Sequence, residues 1–346
     1  MMKSYRMMLP LFIIAGTFYS VGKLTHQPVF TPAQQTVMLN EADDFIDALP
    51  EGLQDIQADA VLRAIRGDGA QLAKIRESRN ASPNLSEKVN HTSYKENGIE
   101  MQLYSPKKIE GELPLLIYFH GGGWTFGSIN SCARFCDSLA DTGKAGVLAV
   151  DYSLAPEHKF PSGLDDCLTS IEFALKNLSE WGFSSISLGG DSSGANLTLA
   201  SQISLIEKGK GEDIESLILI YPVLKAFPDK SESWRKYARG YGLNRRLMES
   251  FFEAYITSSD SEDAHVSPGL AIDSVLKKMP PLLLINAERD ILFDQGKEFA
   301  LKIKEIGNHI DWVTMPGATH LFITVPGQPT AFSTAVSLCE DFLSGK

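Results

Sequence analysis

A glycine-rich stretch at residues 188–200, LGGDSSGANLTLA, places one serine in a setting typical of nucleophilic chemistry. Ser192 has Gly190 and Gly194 on either side, as a very tight turn requires, because larger side chains would collide there. An apolar strand pattern precedes this turn and an apolar helix pattern follows it. A serine at such a junction projects at the sheet edge, where the helix dipole favours developing negative charge. The alternative interpretation is a glycine-rich turn with a serine that caps the helix.

A serine alcohol is a weak nucleophile, so it needs a base and an acid that orients the base. In the chain order expected for this arrangement, the acid and then a histidine follow the serine. The histidines after the serine are His265, His309 and His320. His320 lies in PGATHLF, directly after the last predicted strand and at the same sheet edge as Ser192, whereas His309 precedes that strand. We therefore predict His320 as the base, against the alternative of a solvated loop side chain.

The orienting acid is expected after the preceding strand, within PLLLINAERD and the residues that follow it. The candidates are Glu288, Asp290 and Asp294. Asp290 lies in the loop just beyond the predicted strand end. Asp294 belongs to the start of the next predicted helix, where an acid favours the positive end of the dipole. We predict Asp290 as the orienting acid and Asp294 as a helix cap or a supporting residue.

An acyl-transfer transition state also needs donors for its oxyanion. The residue after the nucleophile supplies one backbone N–H group, here that of Ser193. A second glycine-rich stretch, FHGGGWTFG, directly follows an early apolar strand, and its glycines let the backbone approach a substrate oxygen closely. We predict Gly122 and Gly123 as donors, ahead of Gly121. We expect His120 to hold the shape of this loop, and a flexible glycine turn is the alternative interpretation.

The elements that must position these residues alternate between strand and helix along most of the chain. Continuous apolar runs predict buried strands at residues 113–119, 146–152, 184–190, 216–222, 281–287 and 310–316. Helical patterns occupy residues 130–142, 163–178, a segment from about 193, 295–306 and 329–343. A hairpin with Asn97-Gly98 at its turn precedes them, and amphipathic helices are predicted at 34–49 and 57–78. This order predicts an α/β fold with a mostly parallel, doubly wound sheet.

Composition limits the classes of partner. The 346 residues carry a formal net charge of −11, which repels a phosphate backbone, so we expect no nucleic-acid partner. The four cysteines show no zinc-like or disulfide-like spacing, and we expect buried free thiols. The chemistry outlined above requires no metal and no cofactor. The sequence leaves the oligomeric state open.

The amino terminus resembles an export signal. Lys3 and Arg6 precede an apolar stretch that extends to Val21, and Ser20 and Gly22 are small residues suited to cleavage after Gly22. We therefore predict a signal peptide at residues 1–22 and an exported, periplasmic or secreted protein. An uncleaved membrane anchor at residues 7–22 and an ordinary first helix are the alternatives, and membrane association is expected only with the anchor.

Five motifs together resemble the hormone-sensitive-lipase-like family of α/β-hydrolase carboxylesterases: HGGGW, DYSLAPEHKFP, GGDSSGANL, ERDILFDQG and PGATHLF. They occur in order from about residue 80 to the carboxyl terminus. The resemblance implies a carboxylesterase without a cofactor, with the triad Ser192, Asp290 and His320. It also implies an oxyanion hole formed by Gly122, Gly123 and Ser193.

The resemblance further implies an α/β-hydrolase fold with a helical cap. We predict amino-terminal cap helices at residues 23–80, a cap insertion at 223–265 and a catalytic core at 81–222 and 266–346. Three residues depart from the family pattern: Ser193 replaces alanine, Ser153 replaces arginine and Leu321 replaces glycine. None of these changes removes a catalytic group, although Leu321 alters the loop beside the predicted base.

The substrate is less well specified than the reaction. Trp124 in the oxyanion loop and Phe252 in the predicted cap are candidates for the substrate pocket, although packing of the cap explains such aromatic residues equally well. The resemblance implies small, short-acyl esters. Two alternatives remain: an amidase or deacetylase of the arylacetamide type with the same triad, and a catalytically silent receptor for a small molecule.

Overall fold

A computed structural model describes residues 30–81, 84–108, 111–257 and 260–345 of the chain. The predicted signal or anchor at residues 1–22 lies outside the described residues. Within these described ranges, no helix combines the length and the apolar character needed to cross a membrane.

One eight-stranded sheet forms the centre of the molecule, with the strand order β1-β2-β4-β3-β5-β6-β7-β8. The strands are β1 (Val89–Glu96), β2 (Ile99–Pro106), β3 (Leu113–Phe119), β4 (Gly146–Asp151), β5 (Phe183–Asp191), β6 (Ser216–Ile220), β7 (Leu282–Arg289) and β8 (Ile310–Thr319). The pairs β1–β2 and β2–β4 are antiparallel, and the other pairs are parallel. The predicted α/β fold with a mostly parallel sheet and an initial hairpin is confirmed.

Helices cover both faces of the sheet and extend beyond it. They are α1 (Pro32–Asp47), α2 (Leu53–Ile65), α3 (Ala70–Arg79), α4 (Ile129–Asp141), α5 (Ser162–Asn177), α6 (Ser193–Glu207), α7 (Glu232–Lys236), α8 (Arg245–Tyr255), α9 (Asp273–Leu276), α10 (Phe293–Glu305) and α11 (Pro329–Leu343). The predicted segment 57–78 is two helices, α2 and α3. It divides at Gly67, whose φ of 96° is incompatible with a continuous right-handed helix.

The central strands are buried on both faces, as their continuous apolar sequence predicts. Every residue of β6 is buried, and β3 is buried except at Pro114. Two clusters of buried hydrophobic residues lie against the sheet, one containing Leu115 and Ile117 and the other Leu116 and Tyr118. Adjacent residues of one strand thus enter opposite clusters, which is the alternation expected for a strand between two helical layers.

Polar side-chain contacts connect helices α1 and α2 to the rest of the molecule. Helix α2 packs against α8. The Gln54 side chain bridges to the loop before α8, where it donates to the Gly242 carbonyl and accepts from the Asn244 N–H group. Helix α1 packs against β8 and α11, and its Glu41 carboxylate accepts from both the N–H and the hydroxyl of Thr330.

The four cysteines, Cys132, Cys136, Cys167 and Cys339, are free thiols buried in the core, as predicted. Cys132 and Cys136 lie one turn apart on α4. Burial raises the pKa of the Cys136, Cys167 and Cys339 thiols well above the ordinary value, because a thiolate is poorly solvated there.

Candidate active site

Ser192 occupies the single position between the end of β5 and the start of α6. Its backbone has φ 55° and ψ −118°, a strained conformation for a residue with a side chain. Close approach explains the flanking glycines: a Cβ on Gly194 would lie 1.9 Å from the Phe119 carbonyl oxygen, and one on Gly190 would lie 2.5 Å from it. The predicted tight strand–turn–helix junction is therefore present, and its steric requirements explain the G-x-S-x-G pattern.

Three residues that are distant in sequence form one hydrogen-bonded chain. His320 follows the last residue of β8, and its Nε2 atom lies 3.1 Å from Ser192 Oγ. Its Nδ1 atom lies 2.6 Å from Asp290 Oδ2. The Asp290 Oδ1 atom accepts from the Leu292 N–H group at 3.0 Å. With Nδ1 protonated toward the carboxylate, Nε2 is left as the acceptor for the Ser192 hydroxyl.

The other candidate acids have different partners. The Asp294 carboxylate accepts from the Ser233 N–H group at 2.8 Å, at the start of α10, and thereby connects α10 to α7. The Glu288 carboxylate accepts from the Gly317 N–H group at 2.6 Å. Asp290 is the candidate whose carboxylate contacts the imidazole of His320, as the position of the loop after β7 predicted.

The other candidate histidines lie in local ion pairs. His265 is held between Asp263, at 2.9 Å, and Glu207, at 3.3 Å. His309 lies before β8, and its Nε2 atom is 3.5 Å from Asp311. Neither His265 nor His309 takes part in the hydrogen-bonded chain of Ser192, His320 and Asp290.

The glycine loop after β3 lies beside Ser192. Gly122 and Gly123 have φ values of 124° and 62°, which only glycine adopts readily. A Cβ on Gly123 would lie 2.1 Å from the ring of Phe251, so the loop and helix α8 are in direct contact. Within the described ranges, the N–H groups of Gly122, Gly123 and Ser193 donate to no protein acceptor. These three donors are therefore available to an oxyanion beside Ser192.

His120 supports this loop from within the core. The side chain is fully buried and stacks on Tyr152, with the ring centroids 4.4 Å apart. Its Nδ1 atom donates to the Gly121 carbonyl at 2.9 Å. Burial lowers the pKa of His120 from its ordinary value of 6.5 to about 4, so the imidazole is neutral at neutral pH. The expected role of His120 in loop shape is supported by these contacts.

Asp191 is a structural contributor that the motif analysis missed. Its Oδ1 atom accepts from the Tyr118 hydroxyl and from the Gly121 N–H group, both at 2.9 Å. It thereby ties the end of β5 to the glycine loop. Burial raises the pKa of its carboxyl despite these hydrogen bonds. The available signal was an acidic residue at the end of an otherwise apolar strand, where only a specific set of donors can satisfy it.

Two further residues shape the surroundings of His320. The Tyr221 ring packs against the imidazole with centroids 4.4 Å apart. The predicted strand at residues 216–222 contains Tyr221 but did not reveal this contact. Leu321, which occupies the position where the family pattern has glycine, has a φ of 77°. The usual glycine is therefore explained by this left-handed conformation, which a leucine adopts only with strain.

A cavity of about 70 Å³ opens above Ser192, and we refer to it as the Ser192 cavity. Residues of α2, α3, the glycine loop, α8 and the His320 loop line it, among them Gln57, Arg79, Phe126, Leu247, Phe251 and Leu321. Trp124 and Phe252, the residues we expected at the substrate pocket, lie outside this lining. Trp124 instead stacks on Tyr255 with centroids 4.4 Å apart, and Phe252 stacks on Trp234. Both are thus core residues, packed where the glycine loop meets α7 and α8.

The part of the chain that the structure describes holds no cluster of three or more histidine, cysteine or acidic side chains suited to a metal ion.

The fold and this arrangement define an α/β-hydrolase. A family model described as alpha/beta hydrolase fold matches residues 116–324. The chain belongs to this family, within its hormone-sensitive-lipase-like group of carboxylesterases, as the sequence motifs predicted.

Relatives and solved structures agree with this assignment. The chain is 30% identical over 275 residues to ethyl acetate hydrolase of Pseudomonas putida, which covers 78% of this chain and 84% of the relative. It is 32% identical over 235 residues to an arylesterase of Saccharolobus solfataricus, covering 66% and 74%. The hyperthermophilic esterase of the archaeon Pyrobaculum calidifontis superimposes with a TM-score of 0.70 at 27% identity, covering 86% of this chain and 98% of that one.

Proposed function

We propose that this carboxylic ester hydrolase cleaves small, short-acyl esters through an acyl-enzyme formed on Ser192. The observation that carries the proposal is the continuous hydrogen-bonded chain from Ser192 Oγ through His320 to Asp290, which ends at the floor of the Ser192 cavity. All three side chains are buried, and Ser192 and His320 line that cavity. Such a chain activates the Ser192 hydroxyl as a nucleophile, and the cavity limits which molecules reach it.

In the first half of the reaction, Ser192 Oγ attacks the ester carbonyl and His320 Nε2 takes the hydroxyl proton. Asp290 holds the imidazole in the required tautomer and stabilises the imidazolium that forms. The imidazolium then gives its proton to the leaving alkoxide oxygen, and the alcohol departs. In the second half, His320 activates a water molecule that attacks the acyl-enzyme, and the carboxylic acid is released with Ser192 restored.

The negative charge on the carbonyl oxygen requires donors that are in place before the reaction begins. We assign this role to the N–H groups of Gly122, Gly123 and Ser193, because they have no competing protein acceptor within the described residues. The amino-terminal end of α6 adds a favourable dipole at the same point. Asp191 and His120 act as positioning residues, since their hydrogen bonds reach the loop through Gly121.

The small size of the Ser192 cavity supports a short acyl group. A volume of about 70 Å³ is well below the roughly 300–1,000 Å³ of pockets that enclose drug-sized ligands. The phenyl rings of Phe126 and Phe251 provide its apolar wall. A relative named ethyl acetate hydrolase, at 30% identity, is consistent with acetate-sized esters as substrates.

We further propose that residues 23–80 and 223–265 form a cap over a catalytic core at 81–222 and 266–346. The contacts of α2 with α8, and the part that both take in lining the Ser192 cavity, support this division. Export through the signal at residues 1–22 remains our proposal for localisation. The mass of the protein recovered outside the cytoplasm tests it, with a start at residue 23 expected.

The decisive experiment is a series of p-nitrophenyl esters from acetate to dodecanoate, assayed on the wild type and on Ser192→Ala. We expect the highest kcat/KM at two to four acyl carbons, and a loss on the order of 10⁶ in kcat for the variant. Mass spectrometry of a quenched reaction should show the added acyl mass on the peptide that contains Ser192. Matched p-nitroacetanilide distinguishes an amidase, and tight ligand binding without turnover would indicate a receptor. Equal activity of both proteins would refute the proposed nucleophile.

A further inference from the structure

One cation lines the Ser192 cavity without a protein counter-ion. Arg79 is the last residue of α3, and its guanidinium carbon lies 4.6 Å from the ring centroid of Phe126, in the glycine loop. Three residues earlier on the same helix, Arg76 donates to the Thr125 and Ala155 carbonyls and pairs with Glu157. Within the described part of the chain, Arg79 has neither a hydrogen-bond acceptor nor a carboxylate partner.

The stacking of Arg79 on Phe126 leaves its hydrogen-bonding edge unused. An aromatic ring engages the flat face of a guanidinium, whereas the five N–H donors lie in the plane around its rim. Burial lowers the pKa of Arg79 from its ordinary value, because desolvation disfavours the charged form. The group remains protonated at neutral pH, so a positive charge with free donors lies at the wall of the cavity.

A second polar side chain at the cavity wall is also unpartnered. Gln57 on α2 is 5% exposed and lines the Ser192 cavity. Among the described residues, its side-chain amide takes part in no hydrogen bond. The Gln57 amide has donors and an acceptor that are free to bind a group in the cavity. Gln57 and Arg79 therefore present N–H donors from two cap helices to the same small space.

The carboxylate that lines the cavity forms no ion pair with Arg79. Asp191 is the carboxylate that lines the cavity, and its Oδ1 atom is engaged by Tyr118 and Gly121 beneath the glycine loop. Asp290 is engaged by His320 and Leu292. The charge of Arg79 is thus directed to whatever occupies the cavity.

We propose that the preferred substrates are esters that carry an anionic group, most simply a second carboxylate, which Arg79 binds with the help of Gln57. This inference rests on the proposed function and deepens it from short esters to short anionic esters. Arg79 is a specificity-determining residue in this account, because it contacts the substrate away from the reacting carbonyl. The net charge of −11 disfavours the approach of such substrates, and a fixed local cation opposes this repulsion at the site.

The test uses pairs of esters of equal shape that differ only in charge. Monoethyl succinate and ethyl succinamate carry the charge or its neutral amide on the acyl side, and acetoxyacetate and acetoxyacetamide carry it on the alcohol side. We expect the wild type to prefer the anion of at least one pair by roughly 10- to 100-fold in kcat/KM, as for a hydrogen-bonded ion pair. The pair that responds identifies the side on which Arg79 binds.

Variants separate recognition from folding. Arg79→Gln should lower kcat/KM for the anionic esters by about 10-fold or more beyond its effect on the neutral esters, Arg79→Lys should keep part of the preference, and Gln57→Met should weaken it. Arg66→Gln is the matched control, because Arg66 caps the end of α2 and is exposed outside the cavity. Thermal midpoints report whether each variant folds.

The outcomes are distinguishable. No anion preference in the wild type for either pair, or a preference that survives Arg79→Gln, would overturn the proposal while the esterase function stands. An equal loss on neutral and anionic esters in Arg79→Gln would also overturn it, since that result indicates a purely structural stack on Phe126. Absence of activity on every ester would instead contradict the proposed function.

Discussion

Asp290 uses both carboxylate oxygens for fixed partners, His320 on one side and the Leu292 N–H group on the other. A carboxylate held in this way presents one orientation to the imidazole, so it selects the tautomer that leaves Nε2 free for Ser192. Its contribution to the proposed reaction is therefore electrostatic and orientational, and it depends on the negative charge rather than on the shape of the side chain.

We predict that Asp290→Asn lowers kcat for p-nitrophenyl acetate by about 10⁴-fold, as for the equivalent change in serine proteases, because the amide favours the wrong tautomer. Asp294→Asn is the matched control. Asp294 binds the Ser233 N–H group and has no contact with His320, so its loss should reduce stability by about 0.3–1 kcal/mol and leave kcat within a few-fold. Comparable losses of kcat in both variants would contradict the assignment of the acid.

His120 gives the molecule a pH-dependent stability. Its pKa is about 4 in the folded protein, against an ordinary value of 6.5. Below pH 6.5 the unfolded chain takes up a proton that the folded protein excludes, so stability decreases as the pH falls from 6.5 to 4. The full difference corresponds to about 3 kcal/mol.

We therefore expect urea unfolding of the wild type to lose about 3 kcal/mol more between pH 7 and pH 4 than unfolding of His120→Gln, which lacks this titration. Asp151, whose carboxyl pKa is raised by burial, is present in both proteins, and its Oδ1 atom lies 3.9 Å from His120 Nε2, so the difference between the two curves reports the His120 imidazole together with this contact. Parallel stability curves over this range would show that His120 is protonated as readily in the folded state as in the unfolded state.

At the scale of elements, the junction of β3, β5 and α6 has no free space. The carbonyl of Phe119 at the end of β3 lies against Gly190 and Gly194 on either side of Ser192. The same carbonyl precedes the glycine loop. A displacement of α6 would therefore separate Ser192 from the N–H groups of Gly122 and Gly123 as well as strain the turn.

Gly194→Ala should reduce stability by about 1–3 kcal/mol or more, because the new methyl group would lie 1.9 Å from the Phe119 oxygen. We expect activity to fall further than the remaining folded fraction, which circular dichroism and active-site titration measure together. Gly69→Ala is the control, since its Cβ would meet open space and its φ is −88°. An active, stable Gly194→Ala protein would show that the junction relaxes freely.

The sequence predicts an element well where its backbone geometry requires a particular residue type. The strands around β3, the hairpin turn at Asn97-Gly98 and the elbow at Ser192 were all evident, because periodicity and glycine placement record the backbone directly. The position of His320 after β8 followed from parallel strand direction alone. The residues that line the Ser192 cavity could not be predicted from the sequence, since aromatic residues of α8 suit both packing and binding. The orientation of α8 about its axis determines that Phe251, and not Phe252, lines the cavity.

The functional role of Asp191 and Arg79 escaped prediction for a related reason. Each is a charged side chain whose role depends on its neighbours, which are Tyr118 and Gly121 for Asp191, and Phe126 and the Ser192 cavity for Arg79. Those neighbours come from other elements of the chain. Spacing along the sequence carries no record of such contacts.

For the molecule as a whole, access to Ser192 depends on how α2 and the loop before α8 meet the loops at the sheet edge. The loop before α8 is fixed by Gln54, and its Gly242 lies so near the His320 carbonyl that a Cβ there would be 2.9 Å away. Gly242 and Leu243 also line the Ser192 cavity. The attachment of α2 to this loop therefore sets both the cavity wall and the contact with the base.

Gln54→Ala should lower the free energy of unfolding by about 1–3 kcal/mol, since it leaves a partly buried carbonyl and N–H group unsatisfied. We expect kcat/KM for p-nitrophenyl acetate to fall by several-fold, because the cavity wall loses its support. Arg246→Ala is the comparison, as it breaks more exposed ion pairs with Asp55 and Asp59, which contribute about 1 kcal/mol or less. A larger effect of Arg246→Ala than of Gln54→Ala in urea unfolding would reverse this ranking.

The reactivity of the four buried thiols can be used to measure how the molecule unfolds. Since none is bonded to another, reducing agents should leave its melting temperature unchanged, whichever compartment it folds in. A small alkylating reagent should modify none of them in the native state and all four once urea exposes the interior. Cys167 on α5 and Cys339 on α11 would be labelled at a common rate if the molecule opens as a unit, and peptide-resolved mass spectrometry would reveal two rates if one layer of helices detaches first.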